Sequence, residues 1–188
     1  MVSSYVNNYL ADYQQNRSTQ WSKKCSLLNL LITASISSYT YRNGASDINI
    51  PADTLFSYIE QLVIPELQEQ DIDNLQLLKA TCIKFVYMFR NQIPEQHTQT
   101  FLGLFSGFLG SSSVVNQSYA AACIEKLILK KNATGQPVLT SDNIDGNILM
   151  GLLSNLCNLL NDQKNLYAMR SLYRVVQLSK DKVLQFSQ

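Results

Sequence analysis

Six cations on predicted helices are the residues best suited to chemistry in this 188-residue chain, and the chemistry they suit is recognition. Lys126 and Lys130, like Arg170 and Arg174, are four residues apart, and Lys79 and Arg90 are eleven apart. At roughly 100° per residue each pair falls on one side of a helix, where it can meet an acidic partner surface. The competing use of such side chains is internal, bonding carbonyls or carboxylates of neighbouring repeats. Groups for bond-making are scarce. His97 is the only histidine and stands near the start of a polar first turn, a place for a solvent-facing or capping role. Cys82 and Cys123 would each need an adjacent base to act as nucleophiles, and each lies in an apolar stripe. No dinucleotide-binding glycine fingerprint, phosphate-cradling loop, HExxH or GxSxG pattern occurs. The expectation is a non-enzyme with no catalytic residue, metal site or cofactor.

The elements that position these cations are read from spacings of three, four and seven, which align side chains on one helical face. First helices are anchored on Tyr5-Tyr9-Leu10-Tyr13, Leu55-Ile59-Leu62, Phe101-Phe105-Phe108 and Ile148-Leu152-Leu156. Second helices are anchored on Trp21-Cys25-Leu28-Ile32, Leu78-Cys82-Phe85-Phe89, Tyr119-Cys123-Leu127 and Tyr167-Leu172-Val176. With second helices starting at Trp21, Asn74, Gln117 and Asn165, the mean period is about 48 residues, close to HEAT and armadillo arrays. The expected fold is all-α, a HEAT-repeat superhelical solenoid of about four antiparallel helix pairs, with essentially no strand. The repeats fall at approximately 2–38, 53–91, 94–131 and 143–180. Residues 183–188 remain apolar and lack a Pro or Gly stop, so 1–188 reads as a central segment of a longer array.

Punctuation supports this division. Asp53, Asn74 and Asn165 are expected helix caps, and Pro94 fits a first turn. Pro65 falls inside an apolar run and predicts an end or kink. Gly103 and Gly107 predict close approach of a neighbouring helix, with Gly110 as terminator. Two connections exceed an ordinary turn, Tyr39–Ala52 and Lys131–Thr140. The first carries Tyr39, Tyr41, Arg42 and Asp47, which makes it the candidate interaction loop, mobile until a partner orders it; the second reads as a solvated spacer.

Composition narrows the classes. A 46% hydrophobic content can bury a core, and a net charge of +1 offers no field that would select nucleic acid or an anionic membrane. The first helices contain Asp12, Asp53, Glu60, Glu66, Glu69, Glu95 and Asp145 but no Lys or Arg, whereas the second helices are basic. Cys25, Cys82, Cys123 and Cys157 are isolated within apolar surroundings, so all four are expected to be buried, reduced and slow to react, as in the cytosol or nucleus. There is no signal-peptide pattern and no run long enough to span a bilayer, which predicts a chain neither secreted nor membrane-inserted.

Several local strings go beyond generic repeat character. Leu78-Lys79-Ala80, Ile83-Lys84, Phe89-Arg90-Asn91-Gln92-Ile93-Pro94, Tyr119-Ala120-Ala121 and Glu125-Lys126-Leu127 resemble the CAS family of importin-alpha re-exporters, within the importin-beta (karyopherin) superfamily. Weaker agreement extends to Tyr5-Val6-Asn7, Trp21 with Lys23, Asn132-Ala133-Thr134, and Tyr167, Met169-Arg170 and Arg174. The resemblance implies a receptor that clasps importin-alpha together with Ran-GTP in the nucleus and shuttles it to the cytoplasm, GTP hydrolysis being performed by Ran. It also implies that long loops can touch Ran or cargo, as Tyr39–Ala52 would, and that much of the Ran interface belongs to amino-terminal repeats outside this chain. The alternative is a HEAT or armadillo-type interaction scaffold unrelated to nuclear transport.

Overall fold

The computed structural model describes Tyr9, Tyr13, residues 16–40 and residues 44–179. The expected first helix, apart from Tyr9 and Tyr13, lies outside the described residues, as do Tyr41, Arg42 and the apolar end at 183–188. The chain divides into two compact units, Met1–Gln92 and Ile93–Gln188.

In the first unit α1 (Arg17–Ser35) packs against α3 (Gln76–Met88). Leu28, Leu31 and Ile32 of α1 and Leu78, Cys82, Phe85 and Val86 of α3 form the buried stripes that the spacing predicts. Between them in the chain comes α2, which runs as α-helix over Ala52–Tyr58, as a π turn over Ile59–Val63 and as α-helix again over Ile64–Leu67. The break expected at Pro65 takes the form of this wide turn. Proline has no N–H, and its ring presses on the carbonyl four residues back. The chain widens just ahead of it, the Ile64 N–H reaching Ile59 O five residues back, and helix resumes to Leu67.

A correction to the strand-free expectation sits between α1 and α2. Ile36–Thr40 (β1) and Gly44–Ile48 (β2) form an antiparallel hairpin, pairing Ile36 with Ile48, Ser38 with Asp47, Tyr39 with Ala45 and Thr40 with Gly44. Of the segment expected to be a long loop, Tyr39–Thr40 and Gly44–Ile48 are paired strand residues. Ile36, Tyr39, Thr40 and Ile48 are residue types that suit a pleated ribbon, and Gly44 supplies a left-handed φ of +77°.

The second unit is built from a 3₁₀ turn (Glu95–His97) leading into α4 (Thr98–Phe108), then α5 (Val114–Ile128), α6 (Gly146–Asp162) and α7 (Leu166–Leu178). The helix α4 packs on α5 and α6, and α7 on α5 and α6. Phe101, Leu102, Phe105, Cys123, Leu127, Leu152, Leu156, Ala168 and Val175 are buried. Asn165 caps α7 as expected, its Oδ1 accepting from the Tyr167 and Ala168 N–H groups at 3.0 and 3.1 Å. Asp145 does the same for α6.

Other expected punctuation is displaced. Pro51, not Asp53, precedes α2, and Leu75, in a left-handed conformation, precedes α3. Asn74 is freed from capping and donates to Glu69 Oε1 at 3.0 Å. Gly103 and Gly107 are exposed, and a methyl group at either would meet nothing within 4 Å, so they do not mark a close helix contact. Cys25, Cys82 and Cys123 are buried, but Cys157 is exposed. Leu149, Leu152, Leu156 and Leu159 define the buried line of α6, and Cys157 stands one residue, about 100°, beyond it.

Candidate interaction surfaces

The six cations singled out by spacing have different fates. Lys79 is fully buried in the first turns of α3, where Nζ lies 3.0 Å from Glu69 Oε2 and also donates to Asp71 O. Arg90 is buried just beyond α3, Nη1 donating to Tyr87 O at 2.6 Å while the guanidinium lies 4.7 Å from the Tyr87 ring centroid. Lys130 turns inward after α5 and donates to Ile93 O. Burial pushes its ammonium down to about 8, against the opposing pull of Glu95. These three cations are internal, so the expected surface ladder loses half its members. Lys126 is half-buried with Nζ 3.8 Å from Glu125 Oε2. Arg170 is exposed on α7, and Arg174 is half-buried, donating to Gln177 Oε1 at 2.8 Å and lying 5.3 Å from the Tyr173 ring centroid.

The basic and acidic helices of the first unit meet in a cluster that spacing alone did not single out. Glu66 and Glu69 stand at the end of α2, three residues apart. Carboxylates near a helix C-terminus oppose the helix dipole, so they call for external cations. Glu66 receives Lys24 Nζ at 2.8 Å, Arg17 Nη2 at 2.6 Å and the Tyr13 hydroxyl at 2.9 Å. Glu69 receives both terminal nitrogens of Arg17 at 2.9 and 2.7 Å, together with Lys79 and Asn74. Lys24 also lies 4.2 Å from the Tyr13 ring centroid. Burial pushes both carboxyls up, but the cation hydrogen bonds outweigh it: Glu66 lies below its ordinary value and Glu69 is held at about 2. Tyr13 is pushed well up, by burial first and by Glu66 as well. The separation of acidic first helices from basic second helices was the available signal for this cluster.

The candidate loop residues split likewise. Tyr39 on β1 and Asp47 on β2 are exposed, while Tyr41 and Arg42 lie outside the described residues. His97 sits in the 3₁₀ turn ahead of α4, half-buried beside Gln96. Among the described residues no group of three or more His, Cys, Asp or Glu side chains could hold a metal ion, and no helix is long and apolar enough to cross a membrane.

Paired amphipathic helices with cations spent on internal bracing define a helical-repeat scaffold. Its fold matches a solved structure, the exportin Cse1 in its cargo-free, cytoplasmic state, with a TM-score of 0.68 and 22% identity over 96% of this chain and 18% of that one. The fold class is thus that of a HEAT-repeat solenoid. The family model for Cse1 matches residues 1–124, and the chain belongs to the Cse1 family. Among curated relatives it is similar to exportin-2 of Dictyostelium discoideum, 31% identical over 191 residues covering 98% of this chain. Exportin-2 of Mus musculus is 26% identical over 188 residues covering 99% of it. The chain spans 19% of the length of each of these relatives.

Proposed function

We propose that this chain is one HEAT-repeat segment, from the central part, of a nuclear export receptor that binds importin-alpha together with Ran-GTP and returns importin-alpha to the cytoplasm. The observation that carries the reading is the Cse1 family match over residues 1–124, joined by similarity to exportin-2 proteins along nearly the whole chain. The physical character of the segment is compatible with it. Repeats of paired helices offer broad surfaces for protein partners, and the work of such a receptor is differential binding, with GTP hydrolysis left to Ran. Shuttling between nucleus and cytoplasm follows from the same reading. On this proposal Lys126, Arg170 and Arg174 are the cations available to an acidic partner surface, and Tyr39 and Asp47 the contact residues offered by the hairpin.

The test is capture of importin-alpha by the full-length receptor carrying this segment, with and without Ran-GTP. Capture that depends on Ran-GTP supports the reading. Absence of capture in both conditions, with the receptor folded, overturns it.

A further inference from the structure

Each of the two last described helices, α6 and α7, carries an apolar line that no described element covers. On α6 the buried line runs through Leu149, Leu152, Leu156 and Leu159. Beside it stand Met150, Leu153, Cys157 and Leu160, spaced three, four and three; Met150 and Cys157 are exposed and the two leucines half-buried. On α7 the same spacing recurs in Leu166, Met169, Tyr173 and Val176, all between 46% and 58% exposed. Hydrogen bonds fix which way these lines face. Asn155 Nδ2 donates to Ser106 O of α4 at 3.0 Å, and the Ser171 hydroxyl donates to Ala121 O of α5. Cys157 and Tyr173 each come two residues later, about 200° round their helices, so both lines point away from α4 and α5. Arg170 and Arg174 stand one residue, about 100°, on from Met169 and Tyr173, at the border of the line and not on it.

Scattered apolar side chains on a surface need no explanation, but two lines at helix-packing spacing on one side of a helix pair do. Within this chain α1 packs on α3, α4 on α6 and α5 on α7, so first helices meet first helices and second helices meet second. Each pair in such an array buries its apolar side only against its neighbour. Two lines on adjacent helices fit a pair of helices, whereas one peptide or one helix would cover a single line. The chain spans 19% of the length of its curated relatives, which leaves ample chain for a further pair. We propose that the helix pair following this segment in the receptor seats on these lines, its first helix on Met150-Leu153-Cys157-Leu160 and its second on Leu166-Met169-Tyr173-Val176. This rests on the receptor reading above and adds to it which residues belong to the array's own joint. Cys157 and Tyr173 are then shielded in the receptor although exposed in this segment, and on α7 the border with Arg170 and Arg174 is what remains for a partner.

The experiment uses the full-length receptor and probes that it already carries. Cys157 is labelled with a maleimide, and Met150 and Met169 are oxidised with hydrogen peroxide, each rate being compared with that of the receptor unfolded in guanidinium. The measurements are repeated with importin-alpha and Ran-GTP bound. At all three positions the free receptor is expected to react at least about tenfold more slowly than the unfolded chain, with no further change when the partners bind. A second arm uses Tyr173→Asp. That side chain is 58% exposed in this segment, so a charge there is tolerated by α7 itself and acts on the joint. Labelling of Cys157, on the other helix, is expected to speed up about tenfold in this variant. Free-receptor rates near those of the unfolded chain overturn the proposal. So does shielding that appears only with the partners bound, which would give the lines to a partner. Labelling of Cys157 that is unaltered by Tyr173→Asp overturns the two lines as one joint. A receptor that captures no importin-alpha but shields all three positions counts against the receptor reading and leaves the joint standing.

Discussion

Lys24 Nζ lies 2.8 Å from Glu66 Oε1 with the two side chains only 2% and 4% exposed, so α1 and α2 are joined by an ion pair cut off from solvent. Such a pair adds little over an apolar one of the same shape, because taking both charges out of water offsets their attraction. Removing one partner is a different matter, since the other charge is left buried. Glu66→Gln strands Lys24 and one bond of Arg17, and should lower stability by about 3–5 kcal/mol. Lys24→Met with Glu66→Leu should recover a large part of that loss. Chemical denaturation of the three proteins checks the order.

Acid should loosen the same cluster. Glu66 and Glu69 titrate below their ordinary range when folded, Glu69 at about 2 against an ordinary 4.5. As pH falls the unfolded chain takes up protons first, so stabilisation is complete above about pH 4.5 and is lost as pH falls toward 2. The slope of stability against pH over this window should be shallower in Glu69→Gln than in the wild type.

At the basic end Lys130 acts in the opposite sense. Burial lowers its folded value to about 8 from an ordinary 10.5, so the native state releases a proton that the unfolded state still holds. Stability should therefore rise as pH increases from about 8 to 10.5. Subtracting the curve of Lys130→Met isolates this rise; a difference curve that is flat across the window would contradict it.

Thiol reactivity should single out one cysteine in four. Burial pushes the Cys25 and Cys82 thiols up, and Cys123 is enclosed, whereas Cys157 is exposed on α6. A maleimide should modify Cys157 at a rate near that of a free thiol and the others at least about 100-fold more slowly while the chain stays folded. Peptide mapping after brief labelling reads the result.

The helices were legible because each buries an apolar line at helical spacing, and Leu28-Ile32, Phe101-Phe105 and Leu152-Leu156 all face inward as read. The hairpin was not. Its strands are five residues long and rich in serine, and what holds them, Asn49, Arg90 and Gln92, includes two residues more than forty positions away. Cys157 was missed because leucines surround its position, so the sequence offers two stripes and packing selects the one through Leu156. The cation spacing leaves two uses open, partner surface or internal brace, and for three of the six the internal one holds: Lys79 meets Glu69, Arg90 meets Tyr87 and Lys130 meets Ile93. Periodicity gives an angle around a helix, and says nothing about which acceptor stands opposite.

The remaining cations allow a test of steering as distinct from stability. Arg170 and Arg174 share a side of α7, with Leu166, Met169 and Tyr173 exposed on the same helix, and Lys126 on α5 is half-buried. Lys126 Nζ lies 3.8 Å from Glu125 Oε2, and Arg174 bonds Gln177 and lies near Tyr173. Exposed ion pairs contribute about 0–1 kcal/mol each, and Lys126, only 11% exposed beside Glu125, calls for a neutral replacement, so a triple variant with Lys126→Gln, Arg170→Glu and Arg174→Glu should leave helicity intact and cost at most a few kcal/mol. Charges at the rim of an interface act mainly on the rate of encounter. In the full-length receptor the triple variant should therefore associate with importin-alpha and Ran-GTP about tenfold more slowly at low salt, with the gap closing as salt shortens the Debye length from about 30 Å at 0.01 M toward 8 Å at 0.15 M. Stopped-flow association across that range decides the matter. Rates equal to wild type at low salt would remove these cations from the partner surface, and loss of helicity would instead assign them to holding the repeats together.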